Sequence, residues 1–295
     1  MKLGKSLDRA CVRALADGTI LPLMHLEELH IHPVKSLRGV SVQTASVDAL
    51  GLVGDRRFLV VDSDGKFLTQ RVLPQMARVS TALDATHLTL SAEGHGGIRV
   101  PLKEDAAPVR TVSIWRSEGL QAEDCGATAA AWLSQVLERA CGLVRIGPAF
   151  NRPVSREGVA RAGDLVGFAD AFPFLILSEA SLASLNARIT AAGGKPVPMD
   201  RFRANLVVSG CDAFAEDGWA RFKIGQIVFR AGGPSVRCIM TTTDQLTGER
   251  GREPLATLAT FRRNPRDSTQ VIFAQNLIHE TKGGTLRVGD VLNVI

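Results

Sequence analysis

The sequence predicts an α+β chain that is mainly β: a twisted β-barrel with peripheral helices rather than a doubly wound sheet. Three observations predict it. Short runs of partly alternating apolar residues recur along the chain between Gly, Pro, Asn and Asp clusters. A sustained 3.6-residue apolar period occurs in two places. Asp-Gly, Gly-Gln and Gly-Asp pairs separate neighbouring runs as hairpin turns do. A chain of 295 residues, 45% hydrophobic and 22% charged, is long enough for one large domain or two ordinary ones with a substantial core.

In chain order, residues 1–25 read as a polar arm with no assigned role. Residues 26–145 form a first, mostly β unit. Val40 to Val47 alternate, and Arg57–Val61 and Lys66–Thr69 flank a hairpin turn at Asp62-Ser-Asp-Gly65. That turn is not a calcium loop, because Leu73 occupies the position where an EF-hand needs Glu. Leu88, Leu90, Ile98, Val100 and Leu102 continue the β pattern. Ala129, Trp132, Leu133, Val136, Leu137 and Ala140 then share one helical face, with Gly142 as the expected stop. The arginine-rich stretch from Gly147 to Gly163 reads as irregular, either an inter-domain connection or a loop near a site. Residues 146–295 form the second unit. It comprises a buried strand at Phe172–Leu177 and a helix capped by Ser178 that carries Leu182, Leu185 and Ile189 and ends at Gly193-Gly194. A strand at Asn205–Val208 follows, then a hairpin about Gly225-Gln226 and a terminal hairpin about Gly289-Asp290.

Composition limits the function classes. A net charge of +5 suits an anionic ligand, whereas the scattered placement of the cations argues against nucleic acid. Five cysteines (Cys11, Cys125, Cys141, Cys211, Cys238) are odd in number and widely spaced, with no CxxC pair. That excludes a disulfide framework and a structural zinc site. No signal peptide and no apolar run of roughly 18 residues is evident, so a cytoplasmic protein without membrane contact is expected. GxSxG, GxGxxG and P-loop patterns are absent. His30 and His32 share a strand face, yet no third metal ligand stands near them.

Cys238 is the residue with chemistry in its setting. It follows Arg237 just beyond Gly233-Pro234, and a neighbouring cation favours the thiolate that attacks substrates or binds soft metals. As a nucleophile it needs a base from elsewhere, for which His279 is a candidate. Around it stand anion-binding groups. Lys35 and Ser36 follow a strand. Arg56 and Arg57 enter another on opposite faces, so one of them points inward. Arg201, Arg203 and Asn205 share a face if their segment is extended.

Six ordered segments carry a resemblance: PVKS from Pro33, GDRRF from Gly54, FLILSEASL from Phe174, RFRANLVVSG from Arg201, AEDGW from Ala215 and RCIMTTTDQLTG from Arg237. Together they resemble the MOSC family, in the branch of the amidoxime-reducing proteins, over Leu26 to Ile295. The resemblance implies a MOSC β-barrel with peripheral helices plus a smaller N-terminal β-barrel domain. It implies a molybdenum-molybdopterin cofactor, a pyranopterin dithiolene with Cys238 as metal ligand. Lys35, Ser36, Arg57, Arg203 and Asn205 would grip the pterin and phosphate. Asp170, Ala171 and Phe172 match another cofactor-contacting stretch. Relatives carry small hydroxyl residues where this chain has Ala171 and Phe172, and a Ser where it has Val236, so those positions could act only through the backbone. Arg237 would keep the sulfur ionised or brace the cofactor. The implied reaction is reduction of N-hydroxylated compounds, amidoximes or hydroxylamines. The family's other role is a carrier of cofactor or sulfur. No ferredoxin-like domain or N-terminal anchor is seen, so a separate ferredoxin, flavoprotein or b-type cytochrome is expected to deliver electrons.

Overall fold

The computed structural model describes residues 12–14 and 20–295, with side chains from Leu23 onward; Cys11 and most of the expected arm lie outside the described residues. Val12–Ala14 pairs antiparallel with Ile20–Pro22, so the arm contains a short β ladder.

The largest sheet has nine strands. Eight run in the order Leu292–Val294, Arg221–Ile224, Ile227–Arg237, Asp267–His279, Phe174–Ser178, Leu206–Ser209, His25–Ile31 and Val40–Val42, while Arg263–Asn264 pairs beside Asp267–His279. Its one parallel pair joins Phe174–Ser178 to Leu206–Ser209, with helix Glu179–Ala191 in the connection, as a parallel crossover requires. Ser178 caps that helix as expected, its Oγ accepting from the backbone N–H of Ser181 at 3.0 Å. A three-stranded sheet of Gly284–Arg287, Thr44–Asp48 and Gly51–Leu52 supplies a second wall. Leu26, Leu29, Phe174, Ile176, Phe222, Phe229, Leu277 and Leu286 fill the core between them.

The smaller barrel has a four-stranded sheet (Val109–Ile114, Ser117–Asp124, Gly142–Arg145, Phe58–Val61) and a three-stranded one (Gly96–Pro101, His87–Ala92, Ser80–Leu83). Helix Gly126–Val136 packs Ala129, Trp132 and Leu133 against its core of Phe58, Val60, Leu88 and Leu90. The chain thus starts in the larger barrel, leaves it after Leu52, builds the smaller one and returns. Val34 and Phe58 bridge at the crossing, and backbone bonds tie residues 32–35 to 56–58, so these two short segments lie along the seam between the two cores.

Several local expectations need correction. Val40 to Val47 is two strands in two different sheets, Val40–Val42 and Thr44–Asp48. The first helix ends at Val136, because Glu138 takes a left-handed φ of 50°, and Gly142 opens a strand instead of closing the helix. The turn about Gly289 is present with φ 92°, but it does not close a hairpin. Gly284–Arg287 pairs with Thr44–Asp48 and Leu292–Val294 with Arg221–Ile224, because the chain steps there from one barrel wall to the other. Helix Leu255–Phe261 was not anticipated; seven residues are too few for a periodic signal.

Candidate active site

An open cleft lies on the seam between the two cores. Both halves of the chain line it. Lys35, Ser36, Arg56 and Arg71 come from the first, and Asp170, Arg201, Arg203, Asn205, Arg237 and Cys238 from the second.

Cys238 follows the long strand Ile227–Arg237, whose register shifts twice against Asp267–His279, between Ala231 and Gly233 and between Pro234 and Val236. Such bulges bend a strand and re-aim its end. The chain then enters the tight turn Ile239–Thr242, tied by Thr241 N–H and Oγ1 to the Cys238 carbonyl, both at 3.0 Å. Among the described cysteines, Cys238 alone lines the cleft. Burial pushes Cys125 up to about 12 and Cys211 up to about 11, and raises Cys141, so those thiols stay protonated.

The cations are the defining feature. Arg203 sits in a left-handed conformation, φ 56°, at the end of the turn Met199–Phe202. Arg201, Arg203 and Asn205 therefore do not share an extended face; a helical turn brings all three into the cleft. Arg203 donates one Nη to the Leu37 carbonyl at 2.6 Å, and its other Nη is buried without a partner. Burial, helped by nearby Arg56, pushes its pKa down to about 9. Arg237 donates to Ser235 Oγ and the Phe202 carbonyl, both at 2.9 Å, while its Nε is buried and unpaired, and burial pushes it down to about 10. Lys35 is buried over Phe67 and Trp115, pushed down to about 8, with Asp170 as its carboxylate partner. Ser36, φ 67°, holds a buried hydroxyl with no partner.

Asp170 accepts from Lys35 and from Trp115 Nε1 at 3.1 Å, with Arg71 at 3.7 Å; these neighbours hold its carboxyl well below the usual range against desolvation. Its loop is clamped by Arg152, which donates to the carbonyls of Gly167 (2.8 Å), Ala169 (2.6 Å) and Asp170 (2.9 Å). The sequence offered Arg152 only as part of an irregular arginine-rich stretch. Ala171 and Phe172 line the cleft, with the Phe172 ring packed so closely on Gly232 that a Cβ there would lie 2.5 Å from it. Val236 lines it with a half-exposed side chain.

One candidate is displaced. Arg57 lies outside the cleft, donating to Asp48 Oδ1 at 2.7 Å and the Leu52 carbonyl at 3.1 Å. The inward residue is Arg56, whose left-handed φ of 46° turns it toward the seam. There it donates to both Asp55 oxygens (2.8 and 2.7 Å), Asn205 Oδ1 (3.0 Å) and the Arg203 carbonyl (3.0 Å). The period of two required one of the pair to face in, and only the backbone twist decides which. Asp55, held down to about 2 by Arg56 and His32 against its burial, is the buried anchor of this network. His279 is a core residue rather than a base for Cys238, with Nε2 donating to the Asp48 carbonyl at 2.7 Å. His30 pairs with Glu28 at 2.7 Å, and no group of three His, Cys, Asp or Glu among the described residues could hold a metal.

Six cations and one carboxylate line the cleft. Asp55 and Asp244 neutralise Arg56 and Arg201 from behind, leaving Arg203 and Arg237 without any carboxylate. Buried charge without a counter-charge is costly, and an anion entering the cleft would complete it.

Residues 23–140 match the MOSC N-terminal beta barrel domain and residues 162–293 the MOSC domain. Human mitochondrial amidoxime-reducing component 1 is 37% identical over 278 residues, covering 89% of this chain and 80% of that one. The chain belongs to the MOSC family. Another MOSC relative, bovine mitochondrial amidoxime reducing component 2, is also 37% identical, over 90% of this chain and 81% of its own. The molybdenum cofactor sulfurase of rice is 29% identical over 87% of this chain but only 32% of its own length. No helix among the described residues is long and apolar enough to cross a membrane.

Proposed function

We propose that this MOSC protein is a molybdenum-cofactor-dependent reductase of N-hydroxylated compounds such as amidoximes and hydroxylamines. The observation that carries the reading is the cleft itself: the guanidinium groups of Arg203 and Arg237, each without a carboxylate and with one buried nitrogen unpartnered, beside a free cysteine. The names amidoxime-reducing component and molybdenum cofactor sulfurase among the relatives support a function connected with that cofactor.

The residues present fit a phosphate-bearing dithiolene group. Arg203 Nη and Arg237 Nε are orphaned donors for its phosphate or pterin, Ser36 Oγ is a further one, and Lys35 and Arg56 add charge. Cys238 offers the soft sulfur ligand that molybdenum prefers. When bound, such a cofactor supplies two-electron removal of oxygen from nitrogen, so that R–NHOH, two electrons and two protons give R–NH2 and water. The chain's residues orient the group and keep the cleft cationic. Lys35 holds a proton on Nζ at neutral pH, where its pKa of about 8 puts release within reach. Electrons come from a separate donor protein, a ferredoxin, flavoprotein or b-type cytochrome, for which a cationic mouth suits an acidic face. A cofactor or sulfur carrier without reductase activity is the second reading, favoured by the rice relative's name.

Cys238→Ser tests both. Its melting temperature is expected to match that of the unaltered protein, while turnover of a hydroxylamine with a chemical reductant falls below detection. Elemental analysis should find molybdenum near one per chain, and much less in the variant. Undiminished turnover in Cys238→Ser refutes the ligand role; metal bound without any turnover in the unaltered protein favours the carrier.

A further inference from the structure

Trp115 occupies a position its backbone does not favour. It is the first residue of a two-residue loop between Val109–Ile114 and Ser117–Asp124, closed by the Ile114–Ser117 pair, and its φ is 53°. Hairpin loops of this size place Gly, Asn or Asp at positive φ, and a bulky residue there is an outlier that carries strain. Strain of this kind persists where the surroundings hold it and clusters at ligand-binding positions. The indole does not earn its place by burial, since it is 44% exposed. It is held from three sides: Phe67 edge-to-face at 4.8 Å, the Arg71 guanidinium 4.5 Å from its centroid, and Nε1 on Asp170 at 3.1 Å. Trp115 and Phe67 line a second groove, and this groove shares Asp170 and Ala171 with the cationic cleft.

We infer that the Trp115–Phe67 shelf is the subsite for the planar aromatic body of a neutral N-hydroxylated substrate, presenting its N–OH group to the adjoining cleft. The inference rests on the reductase reading. Ring-on-indole contact suits a flat, apolar body. Charge specifies the rest. Lys66, Arg116 and Arg152 line the groove, and Lys35 already compensates Asp170, so the subsite accepts a neutral amidoxime and disfavours a cation. Reduction converts the weakly basic amidoxime into a strongly basic amidine, which takes up a proton. The product is therefore repelled from the groove that held its precursor.

Fluorescence and kinetics test this separately. The chain has three tryptophans. Trp132 and Trp219 are 9% and 7% exposed, so exposed-indole emission reports Trp115. Neutral benzamide, which cannot be reduced, should quench that emission saturably, and benzamidinium should need about tenfold higher concentration. Trp115→Gly, which suits the positive φ, should abolish saturable quenching without lowering the melting temperature. In the reconstituted enzyme it should lower the ratio of kcat/KM for benzamidoxime to that for acetamidoxime about tenfold, the size of one good aromatic contact. Trp115→Phe should restore most of that ratio. If Trp115→Phe behaves like Trp115→Gly, the indole serves Asp170 rather than a substrate ring, and the subsite is refuted. Equal quenching by both probes, or an unchanged ratio in Trp115→Gly, also refutes it. Failure of the unaltered protein to reduce either amidoxime overturns the reductase reading, while the benzamide result still stands or falls by itself.

Discussion

Charge clusters in this molecule are built on two opposite plans. Beyond the cleft, Arg230 and Lys282 both meet Asp164, and Arg161 and Arg221 both meet Glu280 at 2.8 Å. In the smaller barrel, Arg145, which is 1% exposed, is held by Glu123 at 2.7 Å and Glu104 at 3.2 Å. Each of those cations has its carboxylate, whether it is buried, as Arg145 and Arg230 are, or exposed, as Arg161 and Arg221 are. In the cleft, Arg203 and Arg237 are half-buried with carbonyls and a hydroxyl as partners, and each keeps a buried, unpaired nitrogen. The paired clusters are complete within the chain and read as structure. The unpaired one is complete only with an anion present, which marks it as a site.

The sharpest test of the contrast is to remove one carboxylate from the paired cluster and one cation from the open one. Asp164→Asn strands Arg230 in the core and should cost about 3–5 kcal/mol in denaturant unfolding. Its molybdenum content per folded chain should not change. Arg203→Ala relieves an uncompensated buried charge, so it should unfold no more easily than the unaltered protein yet lose the cofactor. Pyrophosphate, an anion without pterin, should stabilise the cofactor-free protein by up to about 2.7 kcal/mol at a hundred times its dissociation constant. That gain should vanish in Arg203→Ala and persist in Asp164→Asn. An equal gain in both variants would break the comparison.

A second pair sharpens it within one dipeptide. Arg56→Ala should lose most bound molybdenum, because Arg56 faces the cleft and braces Asn205 and the Arg203 carbonyl. Arg57→Ala should lose only a half-buried ion pair with Asp48 and the bond to the Leu52 carbonyl, about 1–2 kcal/mol, and keep its metal. The reverse outcome would restore the assignment that the family resemblance implies.

A pH dependence lies outside the cleft. Burial lowers His279 to about 4, against 6.5 in an unfolded chain. The unfolded state then binds the extra proton between those values, so stability is full above pH 6.5 and declines as pH falls toward 4. The loss should reach roughly 3 kcal/mol. His279→Gln should flatten that limb in denaturant titrations at pH 7, 5.5 and 4, and an unchanged limb would assign it to other groups.

Much of the fold was legible in the residues. The Ser178 cap, the turn at Asp62–Gly65 and the hairpin at Gly225-Gln226 follow from local chemistry, because a cap or tight turn is decided within a few residues. Strand partners were not legible. Nothing local says that Thr44–Asp48 pairs with Gly284–Arg287 some 240 residues away, and so the expected terminal hairpin turned out to be a step between walls. In the site, the types of residue were readable while their directions were not. Arg203 and Arg56 both enter the cleft through left-handed backbone that their sequence does not announce. Arg152 was passed over because its role, gathering three carbonyls of one loop, depends on where the chain returns.

The sequence by itself determined a mainly β chain, an excess of cations suited to an anion, one cysteine set apart by its neighbours, and the family those segments resemble. Tertiary structure alone decided that the cations of the first half meet Cys238 of the second on a seam between two cores. It also decided which arginines lack a carboxylate. The reason is physical: type and local preference are properties of a residue and its near neighbours, whereas burial and pairing of charge are properties of contacts between distant segments.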